Sequence, residues 1–319
     1  MRVRTRVLAG ILTAIILGLV AWKIPFAPLA AAFRDADTAT FLALIVPNTI
    51  FYFCWDTLVL QVAMRWFHGD VPYRDLLPVR AASYVVGFFN TNAGRGTLAA
   101  YLWRRRGVPI LELGGTVIFL VLTEYTQLVA WALLGVFGFR AEVTTSVLLV
   151  AAAVAAAWLM FFAYARLRIA PARGVRWLFA PRDWQLLRTL RRATASQYVT
   201  IVALRAPMFL VSLAAHYYGA RAFGIQIPFA QMLTFLPVIF MAAAIPVTVA
   251  HLGTTQAAWL YFFGAYASAP RLLAFSLAAH LTFTATRALL GLVWLPAAYG
   301  DLLSTPRSEI QTAVSSTGA

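Results

Sequence analysis

Seven ionisable side chains lie inside otherwise apolar runs: Asp56, Arg95, Glu124, Arg205, His251, His280 and Arg287. A charge placed in hydrocarbon costs about 2.5–3.5 kcal/mol on insertion scales, so each needs a partner or a wet path. Two acids and three arginines compose an internal network with a positive excess. An anionic headgroup, such as a lipid phosphate, would complete its balance, and the planar guanidinium fork matches phosphate geometry. Each residue also has a plainer reading. Asp56 and Glu124 serve equally as charge partners that fix helix registry. Arg205 lies close to a basic stretch and is expected to snorkel towards water. Arg287 is deeper and leans towards function. His280 reads as a satisfied core histidine, and His216 with Tyr217 and Tyr218 as an interfacial belt. His251 lies between a proline and a glycine and divides evenly between the two readings.

Polar residues accompany these charges where two apolar segments are interrupted. The first interruption holds Asn90, Asn92, Gly94, Arg95 and Gly96, and the second His251, Gly253 and Gln256. Gly94, Gly96 and Gly253 most simply permit a turn, and would also let the backbone approach a ligand. Asn90 and Asn92 can satisfy freed backbone groups or bind a headgroup.

The elements that carry these residues are membrane helices. The 319 residues are 62% hydrophobic and only 12% charged, against roughly 25% charged in soluble domains. Runs near the ~20 residues that cross a bilayer recur along the chain. Six full spans are expected, at 7–24, 40–63, 111–139, 143–165, 198–218 and 272–296. Two broken segments, 78–109 and 228–267, separate them. Residues 65–80 read as a headgroup-level loop bearing Trp66, His68 and Tyr73, and 166–197 as the longest connection. Residues 304–319 form a polar, disordered tail. No connection is long enough for a catalytic soluble domain. The lone Cys54 permits no intrachain disulfide and shows no metal spacing.

The net charge of +15 belongs to topology, since basic residues lie between hydrophobic runs; nucleic-acid binding is not expected. If both broken segments enter and leave on one side, 18 basic residues share one face and 5 the other. Full crossing by residues 81–103 would instead divide Arg80 from Arg104, Arg105 and Arg106. Re-entry is therefore expected, with both termini cytoplasmic. An uncleaved first span is preferred to a signal peptide because this balance needs it. The order span, span, hairpin, span then occurs twice, over 7–139 and 143–298. Each half crosses three times, so the second is inverted. Interrupted helices in inverted repeats mark transporters with midplane sites. The expected fold is an all-α polytopic membrane protein, a single domain over 1–303.

The stretch from Val79 to Gly138 resembles the first signature of the flippase-like family of the lysylphosphatidylglycerol synthase transmembrane region. It has Phe88-Phe89-Asn90, then Asn92-Ala-Gly-Arg-Gly96, then Arg104, Arg105 and Arg106, then Gly107-Val108 and a helix bearing Glu124. The run Ile245-Pro246-Val-Thr-Val-Ala-His-Leu-Gly-Thr-Thr-Gln256 resembles the second. The resemblance implies a lipid translocation module, with aminoacylated phosphatidylglycerol as the best-known cargo. The chain departs from the family at Thr97 and Gln256, where acids are usual, and at Ala99-Ala100, where an arginine is usual. It also carries no soluble acyltransferase-like domain, so synthase activity is not expected.

The expected function is translocation of a lipid, or lipid-linked intermediate, with an anionic phosphate headgroup across the bacterial cytoplasmic membrane. No cofactor or metal is expected. Anionic headgroups are expected partners of the basic stretch between Arg166 and Arg192, and a lipid-pathway enzyme is a further candidate partner. The alternatives are an embedded transferase, for which Asp56, Glu124 and His251 are the only acid/base set, and a non-transporting scaffold.

Overall fold

The computed structural model describes residues 26–89, 102–103, 108–139, 145–166, 185–243 and 253–303. Ten helices occur among them: α1 (Phe26–Arg34), α2 (Thr38–Phe67), α3 (Tyr73–Phe89), α4 (Ile110–Phe139), α5 (Thr145–Arg166), α6 (Gln185–Arg192), α7 (Ala195–Ala222), α8 (Phe229–Ala243), α9 (Thr254–Phe263) and α10 (Ala269–Leu303). Four are long and apolar enough to cross a bilayer: α2, α4, α7 and the Ala269–Trp294 part of α10. Ala152–Phe161 of α5 and Phe229–Ala243 are shorter apolar helices. The chain is an all-α polytopic membrane protein. The expected first span at 7–24 and the tail at 304–319 lie outside the described residues, as do Asn90, Asn92, Gly94, Arg95, Gly96, Thr97 and His251.

Local chemistry sets where the helices start. Asp37 caps α2, its Oδ1 accepting the Thr40 N–H at 3.0 Å. That hydrogen bonding with Thr40 holds the Asp37 carboxyl below the usual carboxylate range. At the start of α7, Thr194 and Gln197 cap each other's backbone N–H groups, at 2.9 and 3.3 Å, the reciprocal pattern of a capping box. Pro47 and Pro207 stand inside α2 and α7. Membrane helices tolerate such prolines because neighbouring groups satisfy the freed carbonyls.

Two compact units divide the chain. One contains the described parts of Met1–Tyr52, Gln127–Leu148 and Pro207–Arg287. Its core is aromatic: Phe41, Phe223 and Phe275 meet edge to face, with centroids 5.3–6.1 Å apart. Within it the buried Ser212 donates to Asn48 Oδ1 at 3.0 Å. In this unit α8 and α9 lie against each other, with Phe235 stacked on Phe262 at 4.8 Å. Gly135 of α4 touches the backbone of α8: an added Cβ would stand 2.9 Å from Thr234 N.

The second unit contains the described parts of Phe53–Thr126, Leu149–Ala206 and Ala288–Ala319. Its core runs from Phe67 through Phe119 and Tyr198 to Trp158, with centroids 4.8–5.4 Å apart. Two sequence readings are corrected here. The loop expected at 65–80 is confined to 68–72, because α2 continues to Phe67 and α3 begins at Tyr73. The residues assigned to the headgroup zone are partly packed instead. Tyr73 donates its hydroxyl to the Cys54 carbonyl at 2.9 Å, and His68 Nε2 lies 2.6 Å from Thr116 Oγ1. The connection at 166–197 contains the helix α6.

His68, just past the end of α2, carries a pH dependence. Burial lowers its pKa from 6.5, opposed by the nearby Glu112 charge. The unfolded chain therefore binds more protons below pH 6.5, and stability falls as the pH drops through that value. The thermal midpoint in detergent is expected to decline between pH 7.5 and 5.5, and His68→Gln is expected to flatten that decline. An equal decline in His68→Gln would assign the effect to other groups.

Candidate functional site

The second unit brings four charged side chains into one line. Asp56 of α2 is paired through Oδ2 with Arg80 of α3. Its Oδ1 stands 3.8 Å from Arg205 Nη2 of α7. Arg205 Nη1 in turn stands 3.5 Å from Glu124 Oε2 of α4. The order is Arg80, Asp56, Arg205, Glu124, with signs alternating. Side-chain exposure runs 21%, 6%, 5% and 40% along it. The middle is dry and both ends reach more open surroundings.

Neighbouring contacts fix the helices that supply these groups. The Trp55 indole N–H donates to the Leu204 carbonyl at 2.6 Å, so the residues beside Asp56 and Arg205 are tied together. The Arg80 guanidinium lies 5.4 Å from the Tyr84 ring centroid, within cation–π range. Tyr84 meets Phe53 edge to face, and Ala81 is buried in the same cluster. Buried charges need pairing of this kind, because an isolated ion in a low-dielectric interior carries a large desolvation cost.

The structure thus joins three sequence-selected residues, Asp56, Glu124 and Arg205, and adds Arg80. Arg205 does not snorkel: it is buried and held between two carboxylates. Arg80, which charge counting grouped with the basic loops, is paired with Asp56 in this line. The signal for it was Asp56 itself, an acid in hydrocarbon that demands a counter-charge.

The other selected residues are placed separately. Arg287 belongs to the first unit, its guanidinium 5.2 Å from the Phe283 ring centroid. Gly253 has φ +95°, a conformation that favours glycine. Its N–H donates to Gln256 Oε1 at 2.7 Å, starting α9. Gln256 is fully buried, and its Nε2 has no hydrogen-bond partner among the described residues. His280 is half-buried on α10, its carbonyl accepting the Thr284 hydroxyl at 2.8 Å. His216, read with Tyr217 and Tyr218 as an interfacial belt, packs inward. Its Nδ1 lies 2.7 Å from the Ser212 carbonyl, and its ring packs against Phe240, Trp259 and Phe275.

A second polar cluster occupies the start of α4. Glu112 faces Arg188 and Arg192 of α6 at 3.3 and 3.5 Å. Thr116 and Thr189 hydroxyl oxygens are 3.1 Å apart beneath them.

The family profile of the lysylphosphatidylglycerol synthase TM region matches residues 6–291. The chain belongs to this family. Membership in the lysylphosphatidylglycerol synthase TM family places the buried charges in a membrane protein related to lipid modification or flipping. The match includes Asp56, Arg80, Glu124 and Arg205, and also both interrupted segments. Among curated proteins, no sequence matches the chain.

Proposed function

We propose that this chain moves a lipid, or a lipid-linked intermediate, with an anionic phosphate headgroup across the bacterial cytoplasmic membrane, with both termini cytoplasmic. The observation that carries the reading is Arg205, buried and shared between Asp56 and Glu124. A guanidinium that already bridges two carboxylates offers donors of the right geometry for a phosphate. Glu124 is the more exposed of the two acids, so it is the one a headgroup displaces. On this reading the phosphate takes the place of the Glu124 carboxylate on Arg205, and the pair re-forms when the headgroup leaves.

The reading includes two re-entrant hairpins in an inverted repeat, and the division of the flanking helices between two units is compatible with it. Phe53–Thr126 belongs throughout to one unit and Pro207–Arg287 to the other. The described flanks of the first interruption, α3 and the start of α4, thus share one unit, and those of the second, α8 and α9, share the other. Irregular backbone at membrane depth is tolerated where protein or a watery cavity surrounds it, which is the setting a headgroup path needs.

Reconstituted vesicles test the proposal. Candidate phospholipids and polyprenyl phosphates are placed in one leaflet, and headgroup accessibility to an impermeant reagent is followed. Arg205→Gln is expected to slow flipping roughly tenfold or more, the equivalent of one charge-assisted hydrogen bond. Arg205→Lys retains the charge and is expected to retain part of the rate. Flipping unchanged in Arg205→Gln, with the fold intact, sinks the reading. Lipid analysis of a deletion strain separates the alternatives: a misplaced lipid fits translocation, a missing product fits a transferase, and no change fits a scaffold.

A further inference from the structure

The short helix α6 has the sequence QLLRTLRR, with three arginines and no acid. Its inner side is fixed against the start of α4. Thr189 and Leu190 are buried, and a Cβ on Gly115 would stand 3.1 Å from the Leu186 carbonyl carbon, with the oxygen closer still. The Tyr198 hydroxyl donates to the Leu190 carbonyl at 3.3 Å. The helix therefore cannot roll without separating backbones that already touch.

Its outer side is charged and open. The Arg188 and Arg192 side chains are 48% and 53% exposed, whereas their shared partner Glu112 is only 9% exposed. One buried carboxylate faces two half-exposed guanidiniums, which leaves a positive excess at the surface. Arg191 is exposed on the same helix. Each guanidinium has five N–H donors, and the Glu112 contacts engage one nitrogen of each.

Position supplies the partner. Two residues after α6 the chain enters α7, a span of 28 residues. At 1.5 Å per residue α7 is about 42 Å long, more than the ~30 Å hydrocarbon core. The surplus of about 12 Å is room for its first turns, and the helix just before them, to stand at headgroup level. Residues 166–192 hold eight arginines and one acid, Asp183.

We propose that α6 is a docking face for anionic membrane lipid, with Arg188 and Arg192 shared between Glu112 and lipid phosphates. Glu112 is an internal stand-in for the phosphate. It keeps both guanidiniums in place when the surrounding lipid is zwitterionic and yields part of their charge when it is anionic. These residues are separate from the Asp56–Arg205 line, and the test reads no flipping, so either reading can fail alone.

The test uses the full chain in nanodiscs of phosphatidylcholine, alone or mixed with phosphatidylglycerol. In a Cys54→Ser background, Gln185→Cys at the exposed start of α6 is labelled with a water-soluble maleimide. Labelling is expected to slow roughly tenfold with phosphatidylglycerol, as two surface arginines engage anionic lipid, and to recover at high salt. Arg188→Gln with Arg192→Gln removes the lipid dependence, whereas the paired lysine variant keeps it and controls for folding. Glu112→Gln is expected to steepen it. Equal labelling in both lipids, in the parent and in Glu112→Gln, overturns the proposal. Protection by inorganic phosphate in phosphatidylcholine nanodiscs also overturns it, by assigning the arginines to a free anion.

Discussion

Asp56→Ala is expected to destabilise the protein by roughly 3–5 kcal/mol, the range for breaking a buried ion pair from one side. Asp56 is the carboxylate that Arg80 and Arg205 share, and both it and Arg205 are almost fully buried. Removing it leaves Arg80 and the buried Arg205 without the counter-charge they share. Asp56→Asn keeps the shape and isolates the loss of charge. Adding Arg80→Gln to Asp56→Asn is expected to recover part of the stability, since it removes one of the two positive charges that Asp56 balances. Thermal denaturation in detergent measures the cycle. A change within about 0.5 kcal/mol for Asp56→Ala would mean that the line contributes nothing to the fold.

Gly135→Leu is expected to be the most damaging glycine substitution, at or above the upper end of the roughly 1–3 kcal/mol typical of overpacking. The first new carbon already stands 2.9 Å from Thr234 N and 3.0 Å from its Cα, with the hydroxyl oxygen closer still. Thr234 cannot step aside easily, because it is fully buried and its hydroxyl donates to the Ala230 carbonyl at 2.7 Å. Gly138→Ala, one turn further along α4, is the matched control. Its Cβ would meet only the flexible end of Leu134 at 3.1 Å, and a near-parental melting temperature is expected. Equal losses at both positions would show that helix propensity, rather than close approach of α4 and α8, sets the cost.

The buried charges were legible because hydrocarbon makes them expensive. Asp56, Glu124 and Arg205 each stand in an apolar run with no local counter-charge, and the structure brings the three together. Arg80 was passed over as a partner of Asp56 because positive-inside counting groups an arginine beside an apolar run with the nearest loop. Pro78 reinforced the error, since it reads as a breaker, although it stands within α3. The apolar residues around it were a contrary signal: Leu76, Val79 and Ala82 are buried at helical spacing. Gln256 was read as a headgroup group in place of a family acid. Its spacing from Gly253 is also that of a residue reaching back to start a helix, and that is the contact its Oε1 makes. The packing of His216 depends on α8, α9 and α10 arriving from elsewhere in the sequence, which no local pattern encodes.

The line Arg80, Asp56, Arg205, Glu124 contains two formal positive and two formal negative charges. Membrane voltage does work only on net charge carried through its field, about 2.3 kcal/mol per elementary charge per 100 mV. A conformational step that carries the four groups together is thus electrically silent. A step that separates Glu124 from Arg205 is not, because it splits the line into parts of opposite sign.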